Sequence, residues 1–172
     1  MLDSVGRAGK DKLQSLSALI GNTPLIRILA RCEGQEVTVY AKAEMYNLSG
    51  SIKDRMALAI LQDAIGRGEL LPGQTIVEAT SGNSGISFAA IGCALGHPVT
   101  IFMPDWVSDE RRAMLDIYGA DTRLVSREQG GFLGCLAAVE ELGEQGAYMP
   151  RQFSNPVNAD EHAEGTGPEL WQ

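Results

Sequence analysis

Metal and disulfide chemistry have little to work with in this chain. Its three cysteines, Cys32, Cys93 and Cys135, stand far apart with no Cys-x-x-Cys pair, an odd number that fits a reducing cytosol better than a disulfide framework. Two histidines, His97 and His162, make a zinc site or a histidine-based triad unexpected, so no metal ligands are assigned. No basic run occurs and the net charge is −8, which argues against a nucleic-acid partner. There is no long apolar run either. The N-terminal segment carries Arg7, Lys10, Asp11 and Lys12, so neither a signal peptide nor a membrane partner is indicated. A soluble, cytoplasmic protein is expected. No internal repeat or low-complexity tract is present.

The chain does have enough apolar material for a real core. It has 172 residues, 44% of them hydrophobic, which suits one medium domain or two small ones. Its 20 glycines imply many tight turns. Residues 1–12 are polar and expected to fray. Leu13, Leu16, Leu19 and Ile20 form a short helical stripe that stops at Gly21-Asn22-Thr23-Pro24. Residues 25–29 and 37–43 read as strands around a polar loop at 31–35. A helix over 53–65 carries apolar residues at 56, 57, 60, 61, 64 and 65 and ends at Gly66-Arg67-Gly68.

Strands at 75–79, 99–103, 122–125 and 148–153 then alternate with helices at 84–95, 108–118 and 131–144, Ser108 being the expected N-cap. Such alternation with short links predicts an α/β fold, a parallel sheet covered by helices. Thr166-Gly167-Pro168-Glu169 has the Ser/Thr-x-x-Glu pattern and early proline of a helix start. Only three residues follow; one helical turn is not stable unaided, and Trp171 is expected to be exposed.

Three polar clusters stand where strands end. In Asn47-Leu48-Ser49-Gly50-Ser51-Ile52-Lys53-Asp54-Arg55 a turn of small residues enters a helix at Lys53. The positive end of the helix dipole disfavours a cation there, a placement that suits a nucleophilic or Schiff-base amine but is also open to a solvated surface lysine. Thr80-Ser81-Gly82-Asn83-Ser84-Gly85 follows a strand and opens a helix. Its hydroxyls, amide and backbone N–H groups suit a carboxylate or phosphate, or merely cap the helix. Neither cluster is the GxGxxG dinucleotide fingerprint or a Gly-Lys-Ser/Thr phosphate loop. The third cluster is Gln152-Phe153-Ser154-Asn155-Pro156. Ligands of open α/β sheets gather at strand carboxyl ends, so three such clusters together favour a functional reading. His97 reads as a turn residue, Cys93 and Cys135 as helix core, and Arg111-Arg112 as a solvated helix face. Trp106 suits either an active-site mouth or packing.

These stretches, with Met103-Pro104, Glu110-Arg111-Arg112, Gly119-Ala120 and Gly165-Thr166-Gly167-Pro168-Glu169, resemble the cysteine synthase (O-acetylserine sulfhydrylase) and cystathionine β-synthase family of fold type II pyridoxal-phosphate enzymes. The resemblance runs from about Leu16 to Gln172. It implies a tryptophan synthase β-like α/β architecture truncated before the second domain is complete. Residues 1–52 would pack partly on a large domain, 53–156 would form the small domain, and 157–172 would begin the large one.

By the same resemblance, pyridoxal 5′-phosphate is the cofactor and Lys53 the lysine that forms a Schiff base with its aldehyde. Asn83 would bond the 3′-oxygen. Thr80, Ser81, Gly82, Asn83 and Ser84 would hold the amino-acid carboxylate, with Gln152 assisting. The implied reaction is β-replacement: an activated serine, O-acetylserine or O-phosphoserine, loses its β-substituent and a sulfur donor adds, giving L-cysteine. Leu48 replaces the family's usual proline. The loop cradling the cofactor phosphate, and the Ser/Thr facing the pyridine nitrogen, would lie beyond Gln172. The resemblance implies a homodimer or a complementing C-terminal chain, and a non-catalytic homologue binding a small carboxylate or a protein is the alternative.

Overall fold

The computed structural model describes residues 7–171. Helix α1 (Arg7–Ser17) leads into an antiparallel hairpin of β1 (Leu25–Cys32) and β2 (Gln35–Lys42), and a 3-10 turn (Glu44–Tyr46) delivers the chain to α2 (Lys53–Arg67). The expected alternation follows as β3 (Ile76–Ala79), α3 (Asn83–Leu95), β4 (Val99–Pro104), α4 (Asp109–Tyr118), β5 (Asp121–Val125) and α5 (Gly131–Glu144). Then come α6 (Pro156–Glu161), a π-helical segment (His162–Thr166) and α7 (Gly167–Trp171).

Strands β3, β4 and β5 pair in parallel in that order, and β3 and β4 are buried throughout. Successive strand side chains point to opposite faces, which divides the core in two. Ile76 and Ile101 meet Met56, Ile60, Leu61, Phe88, Ile91 and Leu115 from α2, α3 and α4. Val77, Ala79 and Phe102 meet Cys135 and Val139 of α5.

Helix α3 lies unusually close to the sheet because glycines face it. A Cβ on Gly85 would come within 2.7 Å of the Thr80 methyl and 3.2 Å of Ile101; one on Gly92 would come within 2.7 Å of Val99. This close approach sets the start of α3 directly beside the carboxyl end of β3. Gly92→Ala should cost roughly 1–3 kcal/mol by overpacking, read as a lower denaturant midpoint at unchanged slope. A stability loss below the resolution of that measurement would contradict the close packing.

Four local expectations are corrected. The chain is helical from Arg7, not frayed to residue 12, because good helix formers extend a helix that Leu13 and Leu16 anchor on the core; residues 1–6 lie outside the described residues. The loop at 31–35 shrinks to Glu33-Gly34. Both have positive φ, 52° and 80°, as a two-residue hairpin turn requires, and the strands pair up to Cys32 and Gln35. The strand at 148–153 reduces to one parallel bridge between Tyr148 and Ile76. Pro150 lacks an N–H, and Arg151, at φ 52°, turns the chain away. Thr166 starts no helix: α6 runs through the π-segment into α7, and the Thr166 hydroxyl meets His162 Nδ1 at 3.0 Å.

No helix among the described residues is long and apolar enough to cross a membrane.

Candidate active site

The Lys53 turn is assembled by two buried side chains. Asn47 Oδ1 accepts the Gly21 N–H at 2.8 Å, while its amide donates to Glu44 and to the Ser51 carbonyl. Asp54, fully buried, accepts the Ser49 N–H at 2.6 Å and the Ser49 hydroxyl. The Lys53 N–H donates to Ser51 Oγ at 3.1 Å. Lys53 thus opens α2 on a fixed backbone. Its side chain is half-buried and takes part in none of the ion pairs among the described residues. The turn is also tied to α3, where Ser49 Oγ and Ser87 Oγ lie 3.3 Å apart.

Next to Lys53, a single buried cation gathers the flanking motifs. Arg55, 2% exposed, pairs with Glu44 and Glu169 through 2.7–2.8 Å contacts. Lys42 adds a second cation to Glu169 at 2.6 Å, and the Asn22 N–H donates to Glu169 at 2.8 Å. The Arg55 guanidinium outweighs burial, which acts in the opposite sense, and holds the Glu169 carboxyl down to about 2; Glu169 in turn raises Arg55. Gly21-Asn22-Thr23 and Glu169 therefore belong to a structural ion network rather than to a ligand site.

The Thr80 loop leaves a helix start open. Gly82 stands at the N-cap of α3 with no side-chain cap bond, and no acidic residue occupies the first turn. The N-terminal N–H groups and the helix dipole there favour a negative group. Thr80 and Ser84 are buried, whereas Ser81 and Asn83 are exposed. Thr80 Oγ1 accepts the Gly82 N–H at 3.2 Å, which leaves its own O–H free to donate. Arg111, expected on a solvated face, donates to the Ser81 carbonyl at 2.9 Å. Nothing in the local sequence foretold that contact.

Gln152 supplies the third arm. Its N–H donates to Glu78 Oε2 at 3.3 Å, and its carbonyl accepts from Asn158 Nδ2 at 3.0 Å. Its side chain is buried, yet Nε2 has no partner among the described residues. An orphaned buried donor costs about 1–3 kcal/mol, and a ligand carboxylate would relieve it. Glu78 also escaped the sequence reading, although one acid in the strand Ile76-Val77-Glu78-Ala79 was the available signal. Burial pushes its carboxyl up.

His162 lies close enough to sense Lys53. Burial first, then the Lys53 and Arg55 charges, hold its imidazole below the ordinary value. It sits in the π-segment, an irregularity that recurs at functional sites. Trp106 is half-exposed, with the Arg127 guanidinium 5.0 Å over its ring.

The lysine on a fixed turn, the uncapped helix start and the orphaned amide fit a cofactor aldehyde and an amino-acid carboxylate. Gly68 caps the end of α2 and Gly130-Gly131 opens α5.

Comparison with known proteins agrees with this geometry. The sequence pattern of the pyridoxal-phosphate dependent enzymes matches residues 16–172. Cysteine synthase B of Salmonella typhimurium is 41% identical over 162 residues, covering 93% of this chain and 53% of the relative. A hydrogen sulfide-producing enzyme from Fusobacterium nucleatum superposes with a TM-score of 0.89 at 45% identity, over 94% of this chain and 49% of that one. O-ureido-L-serine synthase gives a TM-score of 0.81 at 41% identity, over 90% and 49%. The chain spans about half the length of the relatives it matches. With its lysine-bearing turn, its uncapped α3 and its parallel sheet, the chain belongs to the pyridoxal-phosphate dependent enzymes and has their fold type II architecture.

Proposed function

We propose that this chain carries the lysine and carboxylate-binding half of a β-replacement enzyme that forms L-cysteine from an activated serine, O-acetylserine or O-phosphoserine, and a sulfur donor. The observation that carries the reading is the unpartnered buried amide of Gln152, on a backbone fixed beside the uncapped start of α3. Thr80, Ser81, Gly82, Asn83, Ser84 and Gln152 would bind the substrate carboxylate, which leaves the α-amine to face Lys53. Asn83 would donate to the cofactor's 3′-oxygen. Lys53 would hold the cofactor at rest and, once free, take the α-proton at Nζ. Pyridoxal phosphate, when bound, supplies the electron sink that such chemistry needs. Relatives of one fold named for cysteine, hydrogen sulfide and O-ureido-L-serine chemistry support a shared serine-derived substrate with an interchangeable nucleophile.

Residues 53–156 would form the small domain and 157–172 the start of a large one, on which 1–52 would partly pack. The exposure of Leu25, Ile26, Ile28, Leu29, Val39 and Tyr40 in the hairpin supports that division. A homodimer, or pairing with a complementing chain, is the assembly that the family resemblance supports. Three free cysteines suit a cytoplasmic setting.

Purified protein mixed with pyridoxal phosphate should show a visible absorption band that Lys53→Ala abolishes. A band of equal height in the variant, or none in the wild type, would favour the non-catalytic carboxylate-binding reading.

A further inference from the structure

One buried carboxylate joins two arms of the site. Glu78 is 4% exposed on β3, at one end of the three-strand order, where the strand's other residues, Ile76, Val77 and Ala79, are all apolar. Its Oε1 accepts the Ala79 N–H at 2.9 Å, which fixes the last residue before Thr80, and its Oε2 accepts the Gln152 N–H at 3.3 Å across 74 residues of sequence. The Glu78 carboxyl makes no direct ion pair among the described residues. Arg151 attracts it from a distance, but the Arg151 guanidinium pairs with Glu140 at 2.8 Å.

What Glu78 holds is over-determined. Arg151 adopts φ 52°, a left-handed conformation that is strained for a non-glycine residue. Its carbonyl accepts the N–H groups of Ser154 and Asn155, both at 2.9 Å. Gln152 is then gripped at its N–H by Glu78 and at its carbonyl by Asn158, while its side-chain amide is left without a partner. Backbone clamped and donor vacant is the arrangement of a ligand group set in advance.

We propose that Glu78 is a positioning residue for the substrate carboxylate: by clasping Ala79 and Gln152 at once, it fixes the distance between the Thr80–Ser84 loop and the Gln152 amide. The inference rests on the carboxylate-binding reading of that loop. Glutamine at position 78 has the same shape but only one acceptor oxygen, so it can serve one of the two N–H groups and must present an N–H to the other. The two arms then lose their common tether while the sheet stays filled.

The test is titration of the protein with L-alanine, an amino acid without a leaving group, followed through the backbone amide resonances of Ser81, Gly82, Asn83 and Ser84. The wild type should show saturable shifts there. Glu78→Gln should weaken binding about tenfold, equivalent to about 1.4 kcal/mol. Leu70→Ala, which opens the core on the segment before β3, at the opposite end of the strand from the loop, should stay within twofold and so separates positioning from general destabilisation. Equal binding by wild type and Glu78→Gln would overturn the inference alone; absent shifts in the wild type would overturn the carboxylate-binding reading and the inference with it. Should Glu78→Gln fail to fold, amide exchange in the wild type decides. L-Alanine should slow exchange at the Ala79 and Gln152 N–H groups together, and protection unchanged at either would refute the clasp.

Discussion

Arg55→Ala should lower the unfolding free energy by about 3–5 kcal/mol, the cost of breaking a buried ion pair from one side. The side chain is 1% exposed and donates to Glu44 Oε2 at 2.8 Å, Glu169 Oε1 and Oε2 at 2.7 Å and Thr23 Oγ1 at 3.3 Å. Removing it leaves two carboxylates without their shared cation, and only Lys42 remains, on Glu169. The loss is a large fraction of the 5–15 kcal/mol typical of a domain. Denaturant titration measures it, and a drop under about 1 kcal/mol would show that the network is not coupled to folding. Arg55→Lys should recover only part, since an ammonium cannot reproduce the two-sided fork. Combining Arg55→Ala with Glu169→Gln should recover more, because it removes one of the stranded charges.

That network also shows where local sequence reading stops. The elements from Ile76 to Glu144 were predictable to within a residue or two because each has its own apolar period and its own glycine or proline stop. The three polar clusters were visible because turn residues and helix starts are local features. Arg55 was visible only as a letter in a motif, since its partner Glu169 is 114 residues away. Glu78 and Gln152 meet across 74 residues, and Arg111 meets Ser81 across 30. None of these pairs leaves a periodic trace. The end of the strand after Tyr148 was missed for a different reason: the left-handed turn at Arg151 is imposed by tertiary contacts against the preference of a non-glycine residue. The same contacts that defeat prediction there fix the Gln152 arm.

Acidification should release the Glu169 latch. The Glu169 carboxyl ionises at about 2 in the folded chain, held down chiefly by Arg55 and then by Lys42 and the Asn22 N–H, against an ordinary value of 4.5. A folded value below the unfolded one means that stability is fully present above about 4.5 and is lost as pH falls from there to about 2. The Glu169 side chain is 17% exposed, so solvent screening trims the contribution to about 1–2 kcal/mol. Glu78 and Glu161 act in the opposite sense, because burial raises both carboxyls and their protonation favours the folded state. The latch must therefore be read as a difference between two proteins. Melting the wild type and Glu169→Gln side by side from pH 6 to 2 should show a wild-type advantage that is constant at the top of the range and narrows through the window from 4.5 to 2. A gap that keeps its width to pH 2 would mean that Glu169 contributes shape and hydrogen bonds rather than charge. A gap that closes places the docking of α7 on the Lys53-bearing helix under the control of one carboxylate.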